Sequence, residues 1–134
     1  MEAAYTDEQL RRLSPLVLAY IGDAVYELKV RERIIGNSGK MDQLHTLAVS
    51  YVKAERQSRL YQQIAPLLSE QEADIYRHAR NAKSGHQPPH TAVGAYRRAT
   101  GVEALIGWLY LRGEYQRLEL IFEHLFAAED ETQE

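Results

Sequence analysis

Cysteine is absent from the 134 residues, which excludes disulfides, thiolate nucleophiles and zinc sites built on sulfur. Proline and glycine are sparse, at four and eight, so the chain is neither collagen-like nor low-complexity. Charge of one sign is lacking as well. Sixteen Lys and Arg stand against 19 Asp and Glu, a formal net charge of −3, and this excludes a protein basic over its whole surface. No long apolar run exists either: Asp23, Glu27 and Lys29 interrupt the best candidate, far short of the roughly 18 residues that suggest a membrane span. The opening Met-Glu-Ala-Ala-Tyr-Thr-Asp-Glu has neither the basic start nor the apolar core of a signal peptide. Together these absences lead to the expectation of a cytoplasmic protein with no membrane partner.

What is present is an ordinary globular composition, 45% hydrophobic and 26% charged. A chain of this length fits one domain, since domains commonly run from about 50 to 250 residues. The expected layout is a single unit over 1–134, with a core over about 14–127 and an acidic tail over 128–134. Nearly every segment carries helical signals. Ser14-Pro15 is a start signal for the apolar stretch Leu16 to Ile35, and the glycine pair in Gly36-Asn37-Ser38-Gly39 stops it. Leu44, Leu47, Ala48, Tyr51, Val52 and Leu60 recur at helical spacing between Asp42 and Leu60. Pro66 breaks that pattern, and Ser69-Glu70-Gln71-Glu72 reads as a capping box for the next helix. Gly85, Pro88 and Pro89 make 82–91 a loop. Helical pattern resumes near Val93, ends at Gly113, and is followed by an amphipathic helix bearing Leu118, Ile121, Phe122, Leu125 and Phe126. No stretch alternates long enough for a strand. The expected fold class is all-α.

Several chemistries can be set aside. Gly36-Asn37-Ser38-Gly39-Lys40 has the wrong spacing for a phosphate loop. The histidines have no metal-ligand spacing, and no GxSxG elbow is present to mount a serine nucleophile. Two isolated acids stand out instead. Asp23 is the only carboxylate between residues 9 and 26, and Glu103 the only one between 75 and 113. Each interrupts an otherwise apolar helix, where an uncompensated carboxylate costs several kcal/mol. Brought together, they would suit Mg²⁺, which takes one or two protein carboxylates and completes its shell with water and phosphate oxygens. The same pattern is compatible with each acid pairing to an arginine or capping a neighbouring helix. Glu27, one turn after Asp23, reads either as a supporting partner of the site or as a plain surface charge.

Charge is also unevenly spread. From Arg77 to Arg98 the chain has Arg77, Arg80, Lys83, Arg97 and Arg98, with His78, His86 and His90, and no carboxylate. Local positive patches of this kind bind phosphate backbones whatever the overall charge.

The segment Ala19-Tyr20-Ile21-Gly22-Asp23-Ala24-Val25-Tyr26-Glu27-Leu28 resembles the signature helix of the ribonuclease III family. Glu103-Ala104-Leu105-Ile106-Gly107-Trp108-Leu109-Tyr110 resembles the family's second motif, which supplies a further metal ligand. Between them, Arg80-Asn81-Ala82-Lys83-Ser84-Gly85 and the later Tyr96-Arg97 resemble the Mini-III subclass, a stand-alone catalytic domain without a double-stranded-RNA-binding module. The resemblance spans roughly Leu16 to Leu118.

That resemblance implies a dimeric all-α helical bundle with the ribonuclease III endonuclease-domain fold. It implies a Mg²⁺-dependent endoribonuclease, with Mn²⁺ as a substitute ion, that cuts double-stranded RNA and leaves 5′-phosphate and 3′-hydroxyl ends. Asp23 and Glu103 become the catalytic and metal-binding residues. Two further acids of the larger family are missing here, replaced by Ala19 and Thr100, as is typical of the subclass; Thr100, with Glu27, is then a candidate supporting residue. One firmly held ion per site is the safer expectation. Further implied are a homodimer, maturation of large-subunit (23S) ribosomal RNA precursors, and a large-subunit ribosomal protein as a candidate helper. A chain lacking a separate RNA-binding module has to use its own loops, so Lys83, Arg80 and Arg97 are assigned to the RNA face, although Arg80 and Arg97 could equally be held in intramolecular pairs. His90-Thr91-Ala92, where Asn-Thr-Asp is usual, bears on sequence preference. Two other readings stay open: a non-catalytic double-stranded-RNA-binding scaffold on the same fold, suggested by Ala19 and Thr100, and a helical adaptor for proteins, suggested by the net acidity.

Overall fold

The structure, a computed structural model, describes residues 4–35, 40–41, 43–46, 54–82 and 93–133. Among them no strand occurs. The helices are α1 (Asp7–Arg11), α2 (Pro15–Ile35), α3 (Ala54–Ile64), α4 (Glu70–Asn81), α5 (Val93–Arg112) and α6 (Tyr115–Gln133), with a 3₁₀ turn at Ala65–Leu67 and a short helical stretch at 43–46.

Local chemistry accounts for the boundaries. Ser14 Oγ accepts the Val17 N–H at 3.2 Å, and Pro15 opens α2 with a φ already suited to helix. The expected capping box at α4 is formed: Ser69 Oγ accepts from the Glu72 N–H, and Glu72 Oε1 accepts from the Ser69 N–H. Gly113 ends α5 at φ 78°, a left-handed conformation that a side chain resists. Pro66 sits in the 3₁₀ turn, so α3 continues past Leu60 to Ile64 before breaking. The glycines at 36 and 39, and the loop residues 83–92, lie outside the described residues.

The core starts earlier than expected, and the last helix runs further. Leu10, on α1, is buried in it, and the Tyr5 N–H donates to the Leu111 carbonyl at 2.8 Å. The core therefore begins before residue 14. Thr6 and Gln9 cap α1 reciprocally, but five residues are too few to show a helical period. At the other end, the backbone of α6 stays helical through Gln133, where a tail was expected from 128.

Helices α2 and α5 form the centre. Leu18, Tyr26, Val30 and Ile34 of α2 meet Ala104, Leu105, Ile106 and Leu109 of α5, and α6 closes over them with Ile121, Phe122 and Leu125. Each large apolar side chain so buried contributes about 1.5–3 kcal/mol. The pair runs antiparallel and touches backbone to backbone. A Cβ on Gly22 would lie 1.6 Å from the Glu103 carbonyl oxygen, and one on Gly107 would lie 2.0 Å from that of Leu18. Only glycine permits an approach this close. Elsewhere a buried ion pair fastens α6 to α4: Arg117 donates to both Glu72 carboxylate oxygens, at 2.8 and 2.7 Å, and to the Leu67 carbonyl at 2.6 Å. The guanidinium holds the Glu72 carboxyl below its ordinary pKa.

Because the obstructing atoms at the crossing are backbone, Gly107→Ala is expected to lower unfolding free energy by about 3 kcal/mol, the upper end for an over-packed interior. Urea melts would measure this, and an unchanged midpoint would show that the helices do not cross so closely.

Candidate active site

The glycine contacts fix where the acids lie. Gly22 rests against the backbone of Glu103, so its neighbour Asp23 is carried to the side of Glu103. The two carboxyl groups are in hydrogen-bonding contact. Glu103 is half-buried, and its pKa is pushed up to about 9, first by burial, then by the hydrogen bond with Asp23, then by repulsion from the Asp23 charge. Two carboxyl groups side by side cannot both ionise freely, and Glu103 holds the proton.

This arrangement fits a divalent cation. Among the described residues there is no cluster of three or more His, Asp or Glu, so a site offering a full protein shell is absent there. A pair of carboxylates with open space for water and phosphate oxygens is the donor set Mg²⁺ commonly takes. Asp23 and Glu103 are the residues that would hold it.

One expectation is corrected. Asp23 reads from sequence as buried among apolar neighbours, yet it is exposed. Tyr20, one turn earlier, is 78% exposed, and Val17 and Leu28 lie open as well. The apolar stripe of α2 is wider than the core of this chain covers. Beside it runs a groove of about 590 Å³ lined by Ile21, Ala24, Leu28, Tyr110, Tyr115 and Leu118, with Lys29, Glu32 and Glu119 at its rim.

The remaining residues singled out from sequence fall in different places. Glu27 is engaged with a cation of its own helix: its carboxylate accepts from Arg31 at 2.7 Å, an exposed pair one turn along α2. The i,i+4 geometry that aligned it with Asp23 also offers it a closer cation. Thr100 is 8% exposed, one turn before Glu103, and its hydroxyl donates to the Tyr96 carbonyl at 3.0 Å. Arg80 is half-buried; its Nε–H donates to Asn81 Oδ1 at 3.1 Å, and its guanidinium lies 5.7 Å from the centroid of the Tyr76 ring. Arg97 is exposed, with no ion pair among the described residues. Lys83 lies outside them.

Two features had no sequence signal. The glycine crossing depends on atoms that are missing, which no hydrophobic period reports. Arg98 sits in the basic stretch, but its tie to Ser58, at 2.6 Å from Nε to Oγ, joins residues forty apart.

Residues 16–114 match the Ribonuclease III domain family. The chain is 50% identical over 119 residues to the Mini-ribonuclease 3 of a Thermoanaerobacter species, covering 88% of this chain and 84% of that protein. It is 38% identical over 130 residues to the Mini-ribonuclease 3 of Clostridium tetani, covering 96% and 86%. A crystal structure of a Fusobacterium nucleatum protein superposes with a TM-score of 0.81 at 31% identity, over 90% of this chain and 97% of the other.

The raised Glu103 pKa sets a pH dependence. The folded chain holds a proton that the unfolded chain releases near the ordinary carboxylate value, so without divalent ions stability falls as pH climbs from there toward about 9. Glu103→Gln should flatten that fall. Thermal melts of both proteins in chelator, across pH, would test it, and identical pH profiles would overturn the assignment.

Proposed function

The chain belongs to the ribonuclease III family and is an endoribonuclease, and from that premise we propose that it cuts double-stranded RNA in a Mg²⁺-dependent reaction as a homodimer. The observation that carries the reading is the meeting of Asp23 with Glu103. Asp23, at the exposed end of the pair, is open to an RNA strand, while Glu103 sits behind it. When bound there, a divalent ion would supply positive charge against the developing phosphate charge and would make a water more acidic. Glu103 has to release its proton before it can act as a ligand, so ion binding tightens as pH rises. Mn²⁺ fits the same oxygen donors. With Ala19 and Thr100 offering no further acid, one firmly held ion per site is the reading we adopt, and Thr100, beneath Glu103, serves the helix more than the ion.

For the RNA face, Arg97 is exposed with no ion pair among the described residues, and Arg80 stands near the end of α4, three residues before Lys83 in the chain. A-form RNA is recognised through phosphates, 2′-hydroxyls and shape, so local cations suffice despite a net charge of −3. The subclass motifs support a natural substrate in the paired ends of large-subunit (23S) ribosomal RNA precursors, with a large-subunit ribosomal protein as helper. No described helix is long and apolar enough to cross a membrane, and the reading places the reaction in the cytoplasm.

Two outcomes follow. Asp23→Asn keeps the size of the side chain and removes its charge. Cleavage of a long RNA duplex in Mg²⁺ should fall by more than about 100-fold, beyond the 10–100-fold typical of residues that only support a metal ligand, while duplex binding persists. Parent-like cutting by the variant would refute the site. End mapping of parent products should give 5′-phosphate and 3′-hydroxyl termini in Mg²⁺ and none in chelator.

The homodimer reading rests on the open apolar face of α2. Apolar patches of this kind mark contact surfaces, and Leu28, 56% exposed, lies on the groove. Leu28→Asp should convert the dimer into a folded monomer in light scattering; a parent chain that is itself monomeric at micromolar concentration would remove the proposal.

A further inference from the structure

Away from the acid pair, α3, α4 and the start of α5 meet at a corner built on two tyrosines. Tyr61 and Tyr76 stack face to face, with ring centroids 3.7 Å apart and planes 8° from parallel. Tyr76 is fully buried, and its ring fills the space beside Gly101, where a Cβ would lie 2.5 Å from ring carbons. Two guanidinium groups adjoin this stack. Arg80 reaches over the Tyr76 ring from α4. Arg98 comes from α5: its Nε–H donates to Ser58 Oγ at 2.6 Å, and its Nη1 lies 3.1 Å from where a Cβ on Gly94 would stand. Both positive charges act on the Tyr76 hydroxyl, against the upward push that burial gives its pKa.

Three features of Arg98 need a common explanation. The residue is exposed, yet its Nε is held by a serine only 6% exposed. Anchoring through Nε leaves the two terminal nitrogens, the pair that grips a phosphate with two parallel hydrogen bonds, beside Gly94 and with no hydrogen bond among the described residues. And Arg98 shares its corner with a second cation. Arg77, also nearby, is paired with Asp74, whereas neither Arg80 nor Arg98 has an ion pair among the described residues. Both act on the same Tyr76 hydroxyl, so an anion at this corner would meet two positive charges. Both also flank the carboxylate-free stretch, so no acid of that segment competes.

We infer that Arg98, oriented by Ser58, forms with Arg80 a two-cation seat for a backbone phosphate of the RNA duplex. The inference rests on the nuclease reading above and adds to it a residue that fixes the substrate without touching the reacting atoms. Ser58 is then a positioning residue, acting only through Arg98.

Binding of a fluorescent RNA duplex, measured by anisotropy across KCl concentrations with Ca²⁺ in place of Mg²⁺, tests this. Arg98→Met should weaken binding about five- to tenfold and lower the slope of log affinity against log salt by about one, the loss of one phosphate contact. Ser58→Ala should weaken binding about threefold in the parent and not at all in the Arg98→Met background, with the slope unchanged. Arg98→Lys, which keeps the charge but loses the Nε anchor, should retain the slope and lose affinity, and it serves if Arg98→Met fails to fold. Parent affinity and slope in Arg98→Met, whatever its melting temperature, would overturn the seat and leave only a tie between helices. Failure of the parent chain itself to bind or cut the duplex would instead refute the nuclease reading.

Discussion

The backbone crossing of α2 and α5 at Gly22 and Gly107 determines most of what the rest can do. Van der Waals packing between two helices usually sets their axes 8–10 Å apart through intervening side chains. Here each helix presents a glycine to the other's carbonyl groups, and the axes come closer than that. The acids gain from this directly. Asp23 follows Gly22, and Glu103 is the residue Gly22 rests on, so two short side chains can meet without long stems. The same closeness that packs the centre therefore also builds the site, and the apolar residues on either side, Leu18, Tyr26, Leu105 and Leu109 among them, hold the crossing in register.

Much of this architecture was legible in the chain. Ser14-Pro15, the Ser69 capping box and Gly113 mark helix boundaries through local hydrogen bonding and backbone preference, which act over three or four residues and are therefore written in the sequence. The acid pair was legible for a different reason: a lone carboxylate in an apolar helix stands out because its cost demands a partner. What could not be read depends on distant geometry. Asp23 is exposed, not buried, since the helical period of α2 tells that a face is apolar but not whether this chain or another covers it. Glu27 pairs with Arg31, one turn further along its own helix, a choice that spacing relative to Asp23 does not reveal. The tie between Ser58 and Arg98 joins residues forty apart in the chain, and no spacing rule reaches that far.

Charge is organised by neighbourhood more than by total. Several acids are neutralised locally: Glu8 by Arg12, Asp74 by Arg77, Glu72 by Arg117, and Asp7 and Glu114 together by Arg112. Arg112 is at the same time laid 4.4 Å from the centroid of the Trp108 ring, so it is fully engaged in holding α1 to the bundle. Pairing of this kind removes charge from view at long range. It leaves the field around the start of α5 to cations with no ion pair among the described residues, Arg97 and Arg98 among them, and the field near the α2–α5 crossing to the Asp23–Glu103 pair. A protein with a formal charge of −3 can in this way present a cationic surface to a polyanion and an anionic point to a metal ion.

The acid pair is itself a burden on the fold. Two carboxylates in contact, one half-buried, favour a shared proton over two charges, and the raised pKa of Glu103 is that preference expressed at equilibrium. Such a group contributes nothing to folding at neutral pH that a glutamine would not supply at lower cost, so its stabilising role cannot be the reason it is tolerated. A ligand that binds only when both charges are free stabilises the folded chain in proportion to the logarithm of its concentration over its dissociation constant. A divalent cation held between Asp23 and Glu103 would do this, converting a destabilising repulsion into an attraction shared by two helices. The crossing glycines bring the acids close enough for the repulsion to matter and, by the same approach, close enough for one ion to relieve it.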